Sequence, residues 1–469
     1  MGLARELAER IVALRYVDLP SEAIHWSKIA MLDTIGVMLA GAREEAPRLV
    51  DAVLDEPADG PALIFGSTRR ARALDAALIN GTAAHALDFD NTASSLGGHV
   101  SAVMVPALLA AGETGRYSGR DLIAAHTVGF ETGRIGYALN PLHSEKGWHP
   151  TATLGVFAVT AACAHLLRLD VDQTERALGL STSLAAGTKA NFGTMTKPLH
   201  AGQCARGGLL AAMLARKGFS ANGGAFEHKQ GFFKLFNEGG EPVDAAKLLE
   251  GWGAPFDIVS PGASYKLYPC CYSTHAAVQA ALDLVRRHGI FTPSSVERVD
   301  SYTSDRALVH TDRPDPRSDL EAKFSVQYCV SRALTQGSVV LDDFEGGAYR
   351  DPAAQVMLRK VRAAPYTGPV FCADDPFDAE VKVTLTDGRV LEAKVDRPLG
   401  RTAENPISRD ALDAKFLDCA SRVLPLAAAA ALCHEIWAME HTESVQALTR
   451  MCEPDGVARG KQVVERAAV

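Results

Sequence analysis

The chain has 469 residues, with 47% hydrophobic, 22% charged and 7% aromatic side chains, an ordinary globular balance in a chain longer than one hydrophobic core usually supports. Forty-eight Lys and Arg against 56 Asp and Glu leave a net charge of −8, which argues against nucleic acid as a partner. No apolar run approaches the ~20 residues of a membrane span, Met1-Gly2-Leu3-Ala4-Arg5-Glu6 has no signal-like apolar stretch, and nine cysteines without CxxC spacing fit the reduced thiols of a cytoplasmic protein.

Leu7, Ile11 and Leu14 mark a first apolar stripe. After Leu19-Pro20-Ser21, which reads as a capped helix start, Ile24, Ile29, Leu32, Ile35 and Leu39 continue at three-to-four spacing. Ser101–Gly112, Thr151–Leu167 and Cys204–Leu214 are nearly continuously apolar and rich in Ala and Gly. Such helices belong inside a bundle, where backbones approach closely. The pattern changes after Pro269. Thr274–His288 is still an amphipathic helix, but Val296–Tyr302 reads as a strand, and Val381, Val383 and Leu385 alternate with polar residues. Asp387-Gly388 then separates that run from Leu391, Ala393 and Val395, a strong hairpin signal. Arg313–Arg317 and Tyr366–Phe377 read as loops, Leu412–Met439 returns to helix, and the tail from Asp455 is expected to fray. The predicted fold is mostly α with α+β: a large all-helical domain from 1–266 and 401–469, and a smaller α+β domain at 267–400.

Four segments crowd ionisable groups into apolar surroundings. His85-Ala86-Leu87-Asp88-Phe89-Asp90-Asn91-Thr92, ending at Gly97-Gly98-His99, could hold a substrate, or a metal through His85, Asp88, Asp90 and His99, or could be a solvated loop with a capping aspartate. Gly147-Trp148-His149-Pro150-Thr151 puts His149 at a helix N-terminus, where its pKa falls and an anion is welcome; the alternative is a capping or core histidine. Thr196-Lys197-Pro198-Leu199-His200-Ala201-Gly202 places Lys197 at the start of a buried helix, where desolvation favours the neutral amine; the alternative is a snorkelling lysine, a reading that also suits Lys189. In Tyr265-Lys266-Leu267-Tyr268-Pro269-Cys270-Cys271, Lys266 could clamp a carboxylate, and Tyr268 or a cysteine could donate a proton; buried inert thiols are the plainer reading of the cysteines. No P-loop, nucleophile elbow, paired-histidine zinc helix or dinucleotide fingerprint is present.

In this order the four segments resemble the MmgE/PrpD family, which includes 2-methylcitrate dehydratase, cis-aconitate decarboxylase and an iminodisuccinate epimerase. The carrying residues are Asp88-Phe89-Asp90-Asn91-Thr92 with His99, Gly147–Thr151, Thr196–Gly202 and Lys266-Leu267-Tyr268-Pro269. The resemblance implies a helical domain with an α+β lid, a homodimer, a small di- or tricarboxylate substrate, and catalysis without metal or organic cofactor. It also implies a catalytic set of Asp88, His99, His149 and Lys197, with Asp88 orienting a histidine. Thr92, Lys266 and His200 become substrate contacts. The cationic groups Lys197, His99, His149 and Lys266 are expected to form a positive pocket. Decarboxylase-like members have a histidine where this chain has Cys271, which leaves Cys271 or Tyr268 to handle a second proton. The reaction expected first is a dehydration like that of 2-methylcitrate; epimerisation, decarboxylation and, remotely, metal-dependent hydrolysis are the alternatives.

Overall fold

The computed structural model describes residues 2–54, 60–139, 142–237, 243, 245–366, 377–401 and 405–454. The chain divides into one unit of Met1–Ala86, Asp90–Ala263 and Ser408–Val469, and another of Leu87–Phe89 with Ser264–Ile407. Most of the loop expected at Tyr366–Phe377, and the tail from Asp455, lie outside the described residues.

The first unit is helical: α1 (Leu3–Ala13), α2 (Ser21–Gly41), α3 (Ala73–Ala86), α4 (Val100–Gly112), α5 (Gly119–Thr132), α6 (Gly155–Leu166), α7 (Val171–Ser181) and α8 (Thr196–Arg216). Local chemistry starts several of them. Ser118 and Asp121 form a capping box at α5, as do Asp170 and Gln173 at α7, each satisfying donors that a helix start leaves orphaned. The expected cap at Ser21 is absent: Pro20 occupies the cap position of α2 and makes no side-chain cap bond. The segment 151–167 is also not one helix. A turn at Pro150–Thr153 precedes α6, and Leu154 stands between them.

The Ala- and Gly-rich helices pack as their composition demands. A Cβ added to Gly81 on α3 would lie 2.8 Å from the Cα of Gly202 on α8, and one on Gly202 would lie 2.3 Å from the Leu78 carbonyl. Only glycines allow these two backbones to touch, and the contact brings the end of α3 beside the first turns of α8. Val103 on α4 and Val159 on α6 are fully buried in the same core, each burial stabilising by ~1.5–3 kcal/mol.

The second unit carries α9 (His275–His288) and α10 (Val326–Gln336), with strands β1 (Val296–Thr303), β2 (Val361–Pro365), β3 (Ala379–Leu385) and β4 (Val390–Val395) in the order β2-β1-β3-β4. β1 runs parallel to β2 and antiparallel to β3, with Val299 opposite Val361 and Val383. The hairpin expected at Asp387-Gly388 joins β3 and β4, pairing Val381 with Ala393. Alternation puts Val381, Val383, Ala393 and Val395 into one core with Ala277, Val278 and Leu284 of α9. The chain then returns to the first unit with α11 (Arg409–Ala420) and α12 (Leu426–Trp437), separated at Pro425, which cannot donate to a continuing helix. The observed class is mostly α with a smaller α+β unit. None of the described helices is long and apolar enough to cross a membrane.

Candidate active site

The end of α3 starts the site. Packing against α8 buries His85 to 1% exposure, and its Nδ1 lies 3.0 and 3.2 Å from the two carboxylate oxygens of Asp90. Asp90, itself fully buried, also meets His99 Nδ1 at 2.7 Å. One carboxylate therefore grips two imidazoles, whose ring centroids are 4.3 Å apart. Asn91 fixes this loop from behind. Its backbone N–H and side-chain amide both donate to Asp33 Oδ2 on α2, at 3.0 and 2.9 Å, and Lys415 on α11 donates to Asp33 Oδ1 at 2.5 Å.

Gly98 lets the next segment approach. A Cβ there would lie 2.6 Å from Thr151 Oγ1, the atom that accepts the His99 backbone N–H at 3.1 Å. Trp148 and Thr188 form an antiparallel bridge, with His149 N–H donating to the Gly187 carbonyl at 3.1 Å and Lys189 N–H to that of Gly147 at 2.7 Å. This clasp holds His149 against α8. His149 Nδ1 is 3.1 Å from His200 Nδ1, and its ring is 6.2 Å from that of His85. Phe192 meets His149 edge-on at 4.9 Å and lies under the Lys197 ammonium at 5.4 Å, within cation–π range. Lys197 is buried to 8% exposure in the first turn of α8. Lys189 instead donates to Ser144. His85, Asp90, His99, His149, Lys197 and His200 thus converge within the first unit.

Burial governs the electrostatics. It pushes His85 down to about 4 against the pull of Asp90, with His99 and Lys197 pushing the same way as burial. It also holds His149 well below its ordinary value, helped by His85, Lys197, His99 and His200, and lowers His200, helped by His85. The helix dipole expected to act on His149 is a minor matter, since only a four-residue turn follows it. Burial alone would raise Asp90, but His99 and His85 more than offset that and hold it well below the usual carboxylate range. The pocket of four cations is therefore corrected: His149 is a neutral hydrogen-bonding group, and so is His85 beside it.

Lys266 and Asp88 belong to the second unit. Lys266, 1% exposed, donates to the Asp88 carbonyl and, at 3.0 Å, to Asp88 Oδ1. Asp88 holds a left-handed backbone, φ 52°, a conformation aspartate tolerates better than most residues. A buried ammonium requires such a partner, so Lys266, expected at a substrate carboxylate, here braces this turn. Tyr268 is half-buried, 5.1 Å from the His275 ring, and burial pushes its hydroxyl far up. Cys271, also half-buried, donates its N–H to the Lys323 carbonyl at 2.8 Å. Thr92 is half-buried in the first unit, and its hydroxyl bonds no described residue.

From the sequence, His85 and Asp90 stand as substrate-holding or metal-ligating residues, or Asp90 as a helix cap, with no pairing between them expected. Here the Nδ1 atoms of His85 and His99 both turn to Asp90, which fixes the orientation of the two rings. The five-residue spacing from an Ala-rich helix end was the available signal. Phe192 and the Asp33–Lys415 pair carried none.

Two family models match the chain: the MmgE/PrpD N-terminal domain over residues 5–244 and the MmgE/PrpD C-terminal domain over residues 268–439. The chain is 28% identical over 473 residues to a cis-aconitate decarboxylase of Mus musculus, covering 97% of this chain and 94% of that one. It is 27% identical to a cis-aconitate decarboxylase of Homo sapiens, with 96% and 94% covered, and 28% to one of Aspergillus terreus, with 87% of each covered.

Proposed function

The chain belongs to the MmgE/PrpD family of enzymes, and from that premise we propose that it is a lyase acting on a small di- or tricarboxylate through proton transfer at a carbon next to a carboxylate. The observation that carries this is the buried cluster of Asp90, His85, His99, His149 and Lys197. Carbanion formation beside a carboxylate concentrates negative charge in an enediolate. Catalysis then comes chiefly from a cation and donors placed where that charge develops, in a site poor in water. Lys197 supplies the cation, its charge undiluted by solvent at 8% exposure. His149 and His200, sharing one hydrogen bond, supply a donor and an acceptor that can exchange roles. His99, held by Asp90, adds a third imidazole with a fixed orientation.

Loss of a β-hydroxyl after proton removal gives a dehydration like that of 2-methylcitrate, the first reading. Decarboxylation of a cis-aconitate-like acid is the second, favoured by what the three relatives are called. Cys271, standing where decarboxylase-like members have a histidine, weighs against it. The protein works as a cytoplasmic homodimer in this reading. NMR of the enzyme in D₂O with a panel of hydroxylated and unsaturated di- and tricarboxylates tests it: turnover of at least one acid is expected, with the product spectrum separating elimination from loss of CO₂. Absence of turnover across the panel, or activity that follows a stoichiometric metal and disappears with a chelator, refutes it.

A further inference from the structure

Asp90 imposes one tautomer on His99 and His85 alike, and of the two His85 is the ring wholly shut from solvent. Asp90 lies against its Nδ1 at 3.0 and 3.2 Å, and an ionised carboxylate can only accept. Nδ1 therefore carries the ring hydrogen, and in a neutral imidazole Nε2 is left with a lone pair. That Nε2 is buried and has no hydrogen-bond partner among the described residues. A buried acceptor left open is costly and uncommon, and calls for an explanation in use. The ring's position supplies one: His99 is 4.3 Å away and His149 6.2 Å away, centroid to centroid. His149 is built differently. Its Nδ1 faces His200 Nδ1 at 3.1 Å, so either ring can be the donor and its tautomer is free to swap.

We propose that His85 is a catalytic residue, the base whose Nε2 takes the proton from the substrate carbon, with Asp90 as the residue that positions it. The proposal rests on the polycarboxylate reading above and narrows it. The C–H bond breaks, its proton goes to Nε2, and its electron pair moves into the adjacent carboxylate as an enediolate held by Lys197. The imidazolium so formed stands against the Asp90 carboxylate. In a dehydration the pair then forms the C=C bond while the C–O bond breaks. The departing hydroxide takes the proton back from His85, releasing water and restoring the neutral ring. Decarboxylation breaks no C–H bond and calls for a proton donor at the carbon, which an unprotonated Nε2 is not. The substrate class that suits His85 is therefore a hydroxylated polycarboxylate with a hydrogen next to a carboxylate.

The test compares wild type, His85→Gln and His85→Ala with the panel of acids in D₂O, alongside binding of tricarballylate, a tricarboxylate without a hydroxyl. Both variants should lose at least ~100-fold in kcat, the usual scale of one acid–base group, while tricarballylate affinity stays within about threefold and imidazole restores part of the His85→Ala activity. ¹⁵N NMR of wild-type histidines should show His85 protonated at Nδ1 and bare at Nε2, a readout that stands even if the variants fail to fold. A protonated Nε2 at working pH, a metal on His85, or His85→Gln turning over within threefold of wild type overturns the proposal. A wild type inert towards every acid removes the functional reading itself, whereas an active wild type matched by His85→Gln removes only the role of His85.

Discussion

Replacing Asp90 by Asn keeps the side chain's size and removes its ability to serve two histidines. The carboxylate now accepts from His85 Nδ1 at 3.0 Å and from His99 Nδ1 at 2.7 Å. An amide offers one oxygen, which can accept from one ring, and one NH₂ group, which must donate to the other. The ring facing the NH₂ has to present a bare Nδ1, so its hydrogen moves to Nε2 and its tautomer inverts. A base or donor in the wrong tautomer typically costs ~10²–10⁴ in rate, or about 3–5 kcal/mol in the barrier. Stability should change less. Losing a charge-assisted hydrogen bond costs about 1.5–3 kcal/mol, and removing a charge from a site with no exposure offsets part of that. Steady-state kinetics from pH 5 to 9 and urea unfolding provide the comparison. The expected pattern is a collapse of kcat with KM and the folded circular-dichroism spectrum nearly retained. An Asp90→Asn enzyme with kcat within threefold of wild type would show that the Asp90 grip has no part in the chemistry.

Lys415→Met strands the Asp33 carboxylate in the core and should cost about 3–5 kcal/mol in urea unfolding, with a fall in kcat as the Asn91 backbone loosens; a change below about 1 kcal/mol would discredit the brace. His126 on α5 is fully buried, and burial alone pushes it down to about 3. Folded His126 therefore stays neutral between pH 6.5 and 3 while the unfolded chain takes up a proton, so stability falls as pH falls. His126→Gln should narrow the stability difference between pH 7 and pH 5 by about 2 kcal/mol, and an unchanged difference would refute this. Asp257 behaves oppositely: burial, with a push from Glu131, raises it to about 7 in spite of Ser95 and Arg134. Between pH 4 and 7 the folded carboxyl keeps a proton the unfolded one has lost, so stability falls as pH rises. Asp257→Asn should stabilise at pH 8 by up to about 4 kcal/mol and be nearly neutral at pH 3; equal effects at both pH values would count against it.

What the sequence disclosed was whatever depends on neighbours along the chain. Period-3.6 runs of Ala and Gly announced α4, α6 and α8, and Asp387-Gly388 announced the β3–β4 turn, because both signals are local. The break at Leu154 escaped notice, since an apolar run reads the same with or without it. Within the Asp88–Thr92 stretch, composition showed that acids would gather near histidines but not which would turn to them. That choice is made by the backbone, which takes a positive φ at Asp88 and delivers Asp90 to His85 and His99. The lowered pKa of His149 was legible, but its main cause was not: burial does most of the lowering, and burial depends on the packing around the ring. Lys415 and Asp33 are 382 residues apart, and no local pattern connects them.

That last separation sets an order of events during synthesis. A ribosome that has translated through Lys197 has already delivered His85, Asp90, His99 and His149, yet the lysine that steadies the Asp33–Asn91 strut is still unmade. A nascent polypeptide would thus hold the Asn91 loop through the two Asn91–Asp33 hydrogen bonds alone, the Asp33 carboxylate lacking its ammonium partner until α11 docks on α2.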